Sequence, residues 1–332
     1  MQELQKRNEY AVVNIARIAG ACVILAKHCF LSDAYGMYWL NGFAKAVVQM
    51  YFVFSGYFFI KSGAADSPAR QKHWMKHLLC LTLLWSAVFF VTDIPYVDRS
   101  APHWFLDYII SETRDLCGLA FGDLWYMQNL IVVVALLVML HKFEFSGKEL
   151  LLYLTLTVFT EGKLLRALVA AAFGMYLASE KPGEKKAEHG KLCAAGFGAF
   201  VFLIVLYEML EGGFDAVWVR YAANFAWNTT GLWLALVALC LDQRRCEAGQ
   251  QTGRTYYLRK LSTVIYFVHL VFVPLSYGFV ARYLPSIAAY GGRSIVWSGT
   301  VAGLTLAASL VFGAAVLFLA KRKGFRWLKY LY

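Results

Sequence analysis

Arg17 and His28 are the ionisable residues whose placement first suggests chemistry. Both lie in an apolar segment at 11–31, long enough to cross a bilayer as a helix. Eleven steps of about 100° return to within about 20° of the start, so the two side chains share one helix face. At about 1.5 Å per residue they stand about 16 Å apart along it, roughly half the hydrocarbon thickness. An arginine at the centre of a spanning helix costs roughly 2.5–3.5 kcal/mol on insertion scales, so it calls for a partner or a task. Each residue also has a plainer reading: Arg17 can snorkel to the headgroups, and His28 can be a satisfied polar group near the far end. Two on one face, spaced across a leaflet, point to a path through the membrane.

Three further stretches carry side chains of interest. Ser55-Gly56-Tyr57 falls in the second apolar segment, 40–60, where Gly56 lets a helix or an extended ligand approach the backbone. The loop that follows leads into the third segment with Arg70, Lys72, His73, Lys76 and His77. Anchoring to one face of the membrane explains much of this charge, and binding a polyanionic phosphate is its second use. Trp125 and Tyr126 open the fourth segment, where an aromatic belt is the default. Tyr266 and His269, three residues apart in the ninth segment, share a face. A histidine there is ordinarily a hydrogen-bonding group packed between helices.

The elements that must position these residues are helices in a membrane. The chain has 332 residues, 60% hydrophobic and only 16% charged, well below the roughly 25% charge of soluble domains. Ten apolar segments can be counted, near 11–31, 40–60, 77–92, 124–141, 149–161, 164–179, 191–209, 224–241, 261–280 and 295–320. With the N-terminus inside, the inner loops hold 22 of the 32 Lys and Arg, the outer loops seven, and three lie within segments. That bias matches the positive-inside rule and predicts an all-α polytopic protein of about ten transmembrane helices, both termini cytoplasmic. The net charge of +11 is thereby accounted for without nucleic acid. The seven cysteines are scattered, with no Cys-x-x-Cys, and form neither a disulfide frame nor a zinc site. The long loop between 93 and 123, with Trp104, Tyr108 and Ile109-Ile110, reads as an interfacial helix or a lid. No phosphate-binding loop, zinc-protease or hydrolase-elbow motif is present.

Arg17-x10-His28, Ser55-Gly56-Tyr57, the basic residues before the third segment, Leu124-Trp125-Tyr126 and Tyr266-x-x-His269 occur in this order. Together they resemble the acyltransferase-3 family of integral membrane acyltransferases, over essentially the whole chain. The resemblance implies a single membrane-embedded domain over 1–332, with no fused soluble domain. It implies transfer of an acyl group, acetyl first among them, from cytoplasmic acyl-coenzyme A to a hydroxyl of a cell-envelope glycan or lipid-linked sugar. The phosphates of acetyl-coenzyme A would lie near Arg17, Arg70, Lys72, His73 and Lys76, where His73-x-x-Lys76 stands in for the family's Arg-x-x-Arg-like pair. The thioester arm would pass Ser55, Gly56 and Tyr57 towards His28. Trp125, Tyr126, Tyr266 and His269 would line the acyl channel or the acceptor site. A neutral imidazole, with a pKa near about 6.5, suits His28 as general base. The donor is a substrate, so no permanently bound cofactor and no metal are expected. The implied partners are acyl-coenzyme A, the envelope acceptor and the bilayer, and the implied location is the inner (cytoplasmic) membrane. The competing class is a transporter or flippase of a glycan or metabolite, using the same polar column without chemistry; the internal repeats common in transporters are not visible.

Overall fold

The computed structural model describes residues 10–30, 38–94, 100, 102–116, 125–141, 162–179, 217–247, 255–290 and 294–332, with isolated helical positions at 196, 198 and 200. Among the described residues the regular structure is all helix, with no strand. The helices are α1 (Ala11–Cys29), α2 (Tyr38–Lys61), α3 (Pro68–Asp93), α4 (Trp104–Leu116), α5 (Trp125–Leu140), α6 (Lys163–Ser179), α7 (Val217–Glu247), α8 (Tyr256–Tyr283), α9 (Pro285–Ala288) and α10 (Ile295–Leu319). A 3-10 helix, Lys323–Leu331, follows. Six of these, α1, α2, α3, α7, α8 and α10, are long and apolar enough to cross a membrane. The fourth and sixth expected segments are α5 and α6, of 16 and 17 residues, somewhat short for a hydrocarbon core of about 30 Å. The segment expected at 149–161 lies outside the described residues, as does most of 191–209.

Several helix ends are dictated locally. Ser67 precedes Pro68 at the start of α3, and its Oγ accepts from the Arg70 N–H at 3.5 Å. Proline at the first helical position sacrifices no hydrogen bond, because that N–H has no partner inside the helix. Ser294 caps α10 in the same way, accepting from the Val296 N–H at 3.1 Å.

The start of α1 is capped from elsewhere. Tyr10 supplies no side-chain cap. Asp242 of α7 accepts instead, from the Val12 N–H at 2.7 Å and the Val13 N–H at 2.8 Å. The Asp242 residue is only 3% exposed. A carboxylate here satisfies donors that the helix leaves orphaned and meets the positive end of its dipole. These two bonds fix where α1 begins, and therefore the height at which Arg17 and His28 stand.

Helix α2 is the hub, packing along α6, α7 and α1. A Cβ at Gly56 would collide with the Ala171 carbonyl of α6, and a Cβ at Gly174 would collide with the Val53 carbonyl of α2. The paired glycines let the two backbones touch. Phe52, Phe54 and Phe59 of α2 are all 0% exposed, with Phe52 packed on Tyr126 of α5, Phe54 facing Arg17 of α1 and Phe59 against Trp74 of α3. Helix α8 packs on α1 and α10, and its Phe267 ring stacks on Trp85 of α3 at 5.1 Å. The stretch read as an interfacial helix or lid contains α4. Its Tyr108 hydroxyl donates to the Phe90 carbonyl at 2.6 Å, while Phe105, Leu106, Ile109 and Ile110 face outwards.

Candidate active site

A cavity of about 310 Å³ opens between α1, α2, α3, α5 and α8, at the lower end of the about 300–1,000 Å³ typical of small-molecule sites. Its cation is Arg17. The guanidinium lies 5.2 Å over the Phe58 ring and 5.6 Å from that of Phe54, within the roughly 6 Å range of cation–π attraction. Two aromatic faces from α2 thus compensate part of the cost of holding this charge away from water. The helix that presents them is tied to α1 directly, since the Tyr51 hydroxyl donates to the Arg17 carbonyl at 2.5 Å. Ser55, one turn on, donates its hydroxyl to the Tyr51 carbonyl at 2.8 Å.

Three tyrosines from three helices meet at this hollow. Ring centroids of Tyr51 and Tyr126 are 6.2 Å apart, those of Tyr126 and Tyr266 5.4 Å, and those of Tyr51 and Tyr266 6.5 Å. His73 and His77 reach the same space from α3, and Ser262 and Thr263 from α8.

His28 stands elsewhere. It is exposed, outside the cavity lining, with its ring centroid 5.1 Å from that of His269 at a 49° tilt. His269 is 1% exposed. Its Nδ1 lies 3.1 Å from the Ile265 carbonyl. A carbonyl oxygen can only accept, so Nδ1 carries the hydrogen and Nε2 is left as a bare acceptor. Among the described residues that Nε2 has no hydrogen-bond partner. Tyr266 joins the two regions: it lines the cavity and its ring packs edge-on to His269 at 6.1 Å.

The structure divides the candidate residues into groups. Arg17, Ser55, His73, Tyr126 and Tyr266 line the cavity. His28 and His269 pair beyond it. Gly56 faces α6 as a packing glycine. Tyr57 packs on Tyr10 at 6.1 Å and lies beneath the Lys61 ammonium at 5.8 Å. Arg70 donates to the Ser62 carbonyl at 2.5 Å, bracing the turn at Gly63, where φ is +67°. Lys72 and Lys76 are exposed, and neither they nor Arg70 line the cavity. Trp125 is the first residue of α5, and its side chain falls outside the described set.

Tyr51, Ser262, Thr263 and Tyr332 were not among the candidates, yet they line the hollow, and so does His77. Helical spacing held a signal for most of them: Tyr51 is four residues before Ser55, His77 four after His73, and Ser262 and Thr263 one turn before Tyr266. Tyr332 had no local signal. Among the described residues no three His, Cys, Asp or Glu side chains converge as a metal site would require.

The fold and the site define an all-helical, multi-pass membrane protein that holds a half-buried cation and a tyrosine cluster beside a histidine pair. The acyltransferase-3 family, described as an acyltransferase domain, matches residues 10–320. The chain belongs to that family. Searches of curated proteins and of solved structures gave no match.

Proposed function

We propose that this protein moves an acyl group, acetyl in the first instance, from acyl-coenzyme A to a hydroxyl of a cell-envelope glycan or lipid-linked sugar, in the cytoplasmic membrane. The observation that carries the reading is the division of labour along α1. One end offers a half-buried cation in a cavity, and the same face offers a histidine pair about 16 Å away. A donor with phosphates at one end and a thioester at the other matches that separation. With both termini cytoplasmic, the donor enters at the Arg17 end, where Arg17, His73 and His77 receive its phosphates.

At the other end His28 acts as base. With ring centroids 5.1 Å apart, two nitrogens turned to face each other would lie about 3 Å apart, which is hydrogen-bond distance. A modest turn of the exposed His28 ring lets its N–H donate to Nε2 of His269. That bond fixes the His28 tautomer, leaving its other nitrogen as a lone pair for the acceptor hydroxyl. As the acceptor oxygen bonds to the thioester carbonyl carbon, His28 takes its proton. The tetrahedral intermediate then collapses, the carbon–sulfur bond breaks, and His28 returns the proton to the departing coenzyme A sulfur.

The test is release of coenzyme A thiol from acetyl-coenzyme A by the purified protein in proteoliposomes holding envelope lipid-linked glycans. Acceptor-dependent release, absent in His28→Gln, supports the reading. A glycan transporter without acyl chemistry releases no thiol, and that result refutes it. Orientation is tested apart from activity: Ser67→Cys and Ser100→Cys should be labelled from opposite faces, the first from the cytoplasm.

A further inference from the structure

The 3-10 helix Lys323–Leu331 begins just beyond the end of α10, a helix of spanning length, so its first residues stand at a bilayer surface. The backbone kinks at Phe325, with φ −113° and ψ 19°. Beyond the kink, three residues per turn sort the side chains into rows. Leu328 and Leu331 form one row and are buried, at 7% and 6% exposure. Trp327 and Tyr330 form the second and face outwards, at 53% and 44%. The third row holds Lys329, which is exposed.

A 3-10 helix this long is uncommon without outside support. The leucine row supplies it from within, joining the main core, and the Trp85 Nε1–H donates to the Leu331 carbonyl at 3.4 Å. The two outward rows have no such support from the described protein. Their composition states what suits them: tryptophan and tyrosine at the level of headgroups, beside cations. Lys321 and Arg322, just ahead of the segment, are exposed as well. No Asp or Glu occurs anywhere after Glu247 in the sequence, so no acidic side chain within the segment or α10 answers these charges.

We infer that this segment is a docking surface for anionic phospholipid headgroups, and that the docked segment holds one wall of the cavity. The second half follows from its neighbour. Tyr332 comes directly after Leu331 and lines the cavity, with the Lys260 ammonium 4.3 Å over its ring. Headgroups that clamp the cationic and aromatic rows clamp the leucine row into the core and Tyr332 into its place. Each basic side chain near an anionic surface contributes modestly, and several act together.

The experiment compares the full chain in nanodiscs of phosphatidylcholine alone with nanodiscs that also contain phosphatidylglycerol, following amide hydrogen exchange across 323–332. Exchange should be about tenfold slower with the anionic lipid, and high salt should remove most of that protection. Lys321→Gln/Arg322→Gln/Lys329→Gln should exchange alike in both lipids. Inorganic phosphate added to the phosphatidylcholine nanodiscs should not reproduce the protection, since a free ion provides no surface for Trp327 and Tyr330. Equal exchange of the wild-type segment in the two lipids overturns the inference without reliance on any variant's folding. Protection by free phosphate alone overturns it too, by assigning the charge to a soluble anion.

Discussion

The two ends of α1 are built by opposite means. At the Arg17 end, side chains from α1, α2, α3, α5 and α8 surround an open volume, and the charge is shared among aromatic faces. At the His28 end two rings from α1 and α8 stand together, one exposed and one sealed, and Nε2 of the sealed ring has no hydrogen-bond partner among the described residues. The first arrangement tolerates a flexible, multiply charged ligand, because many weak contacts share the load. The second depends on the protonation state of one atom. Binding should therefore be distributed and chemistry concentrated, and each substitution below tests that division.

The largest effect is expected at His28. His28→Gln keeps a hydrogen-bonding group but cannot carry the proton, so thiol release should fall by about 10²–10⁴-fold. Acetyl-coenzyme A affinity, measured by isothermal titration, should stay within about twofold, because the lost interaction belongs to the transition state. Loss of donor binding in this variant would erase the proposed division between the ends.

His269 comes next. Its Nε2 is an acceptor, and Gln can supply a carbonyl oxygen there while Leu cannot. His269→Leu should lower kcat by about 10- to 100-fold, equivalent to one lost hydrogen bond at the reacting centre, and His269→Gln should recover part of it. Equal kcat in the two variants would assign His269 to packing.

Both ends ride on the cap of α1. Asp242→Ala removes a buried carboxylate that accepts two backbone bonds, at 2.7 and 2.8 Å, and should destabilise the protein by about 2–3 kcal/mol. Thermal unfolding in detergent checks this. Donor binding and turnover should decline together, in contrast to the His28 variant.

Smaller losses belong to the cavity. Arg17→Gln should weaken donor affinity by about tenfold, the loss of one charge-assisted contact. Lys72→Gln/Lys76→Gln should change it by about twofold or less, since both side chains are exposed outside the lining. His73→Phe/His77→Phe, which alters the lining itself, should exceed that double variant in the same titration. The reverse order would return the phosphate role to the lysines.

The sequence by itself determined the helices and their faces. Hydropathy and length mark α1, α2, α3, α7, α8 and α10, because burying backbone in lipid requires a continuous apolar helix. Helical period alone puts Arg17 with His28 and Tyr266 with His269, because residue spacing along one helix is a local property. The order of short motifs pointed to the family. What the sequence did not contain was which face meets which neighbour. The tertiary structure turned His73 and His77 into the cavity and left Lys72 and Lys76 outside it. It brought His269 to His28, Tyr332 to the wall beside Lys260, and Asp242 to the first turn of α1. Each of these contacts joins residues far apart in the chain, and depends on how whole helices rotate and slide as they pack. The Gly56–Gly174 contact sets part of that rotation for α2 and α6. Composition and periodicity describe one helix at a time, so pairings between helices emerge only once the backbones have closed on one another.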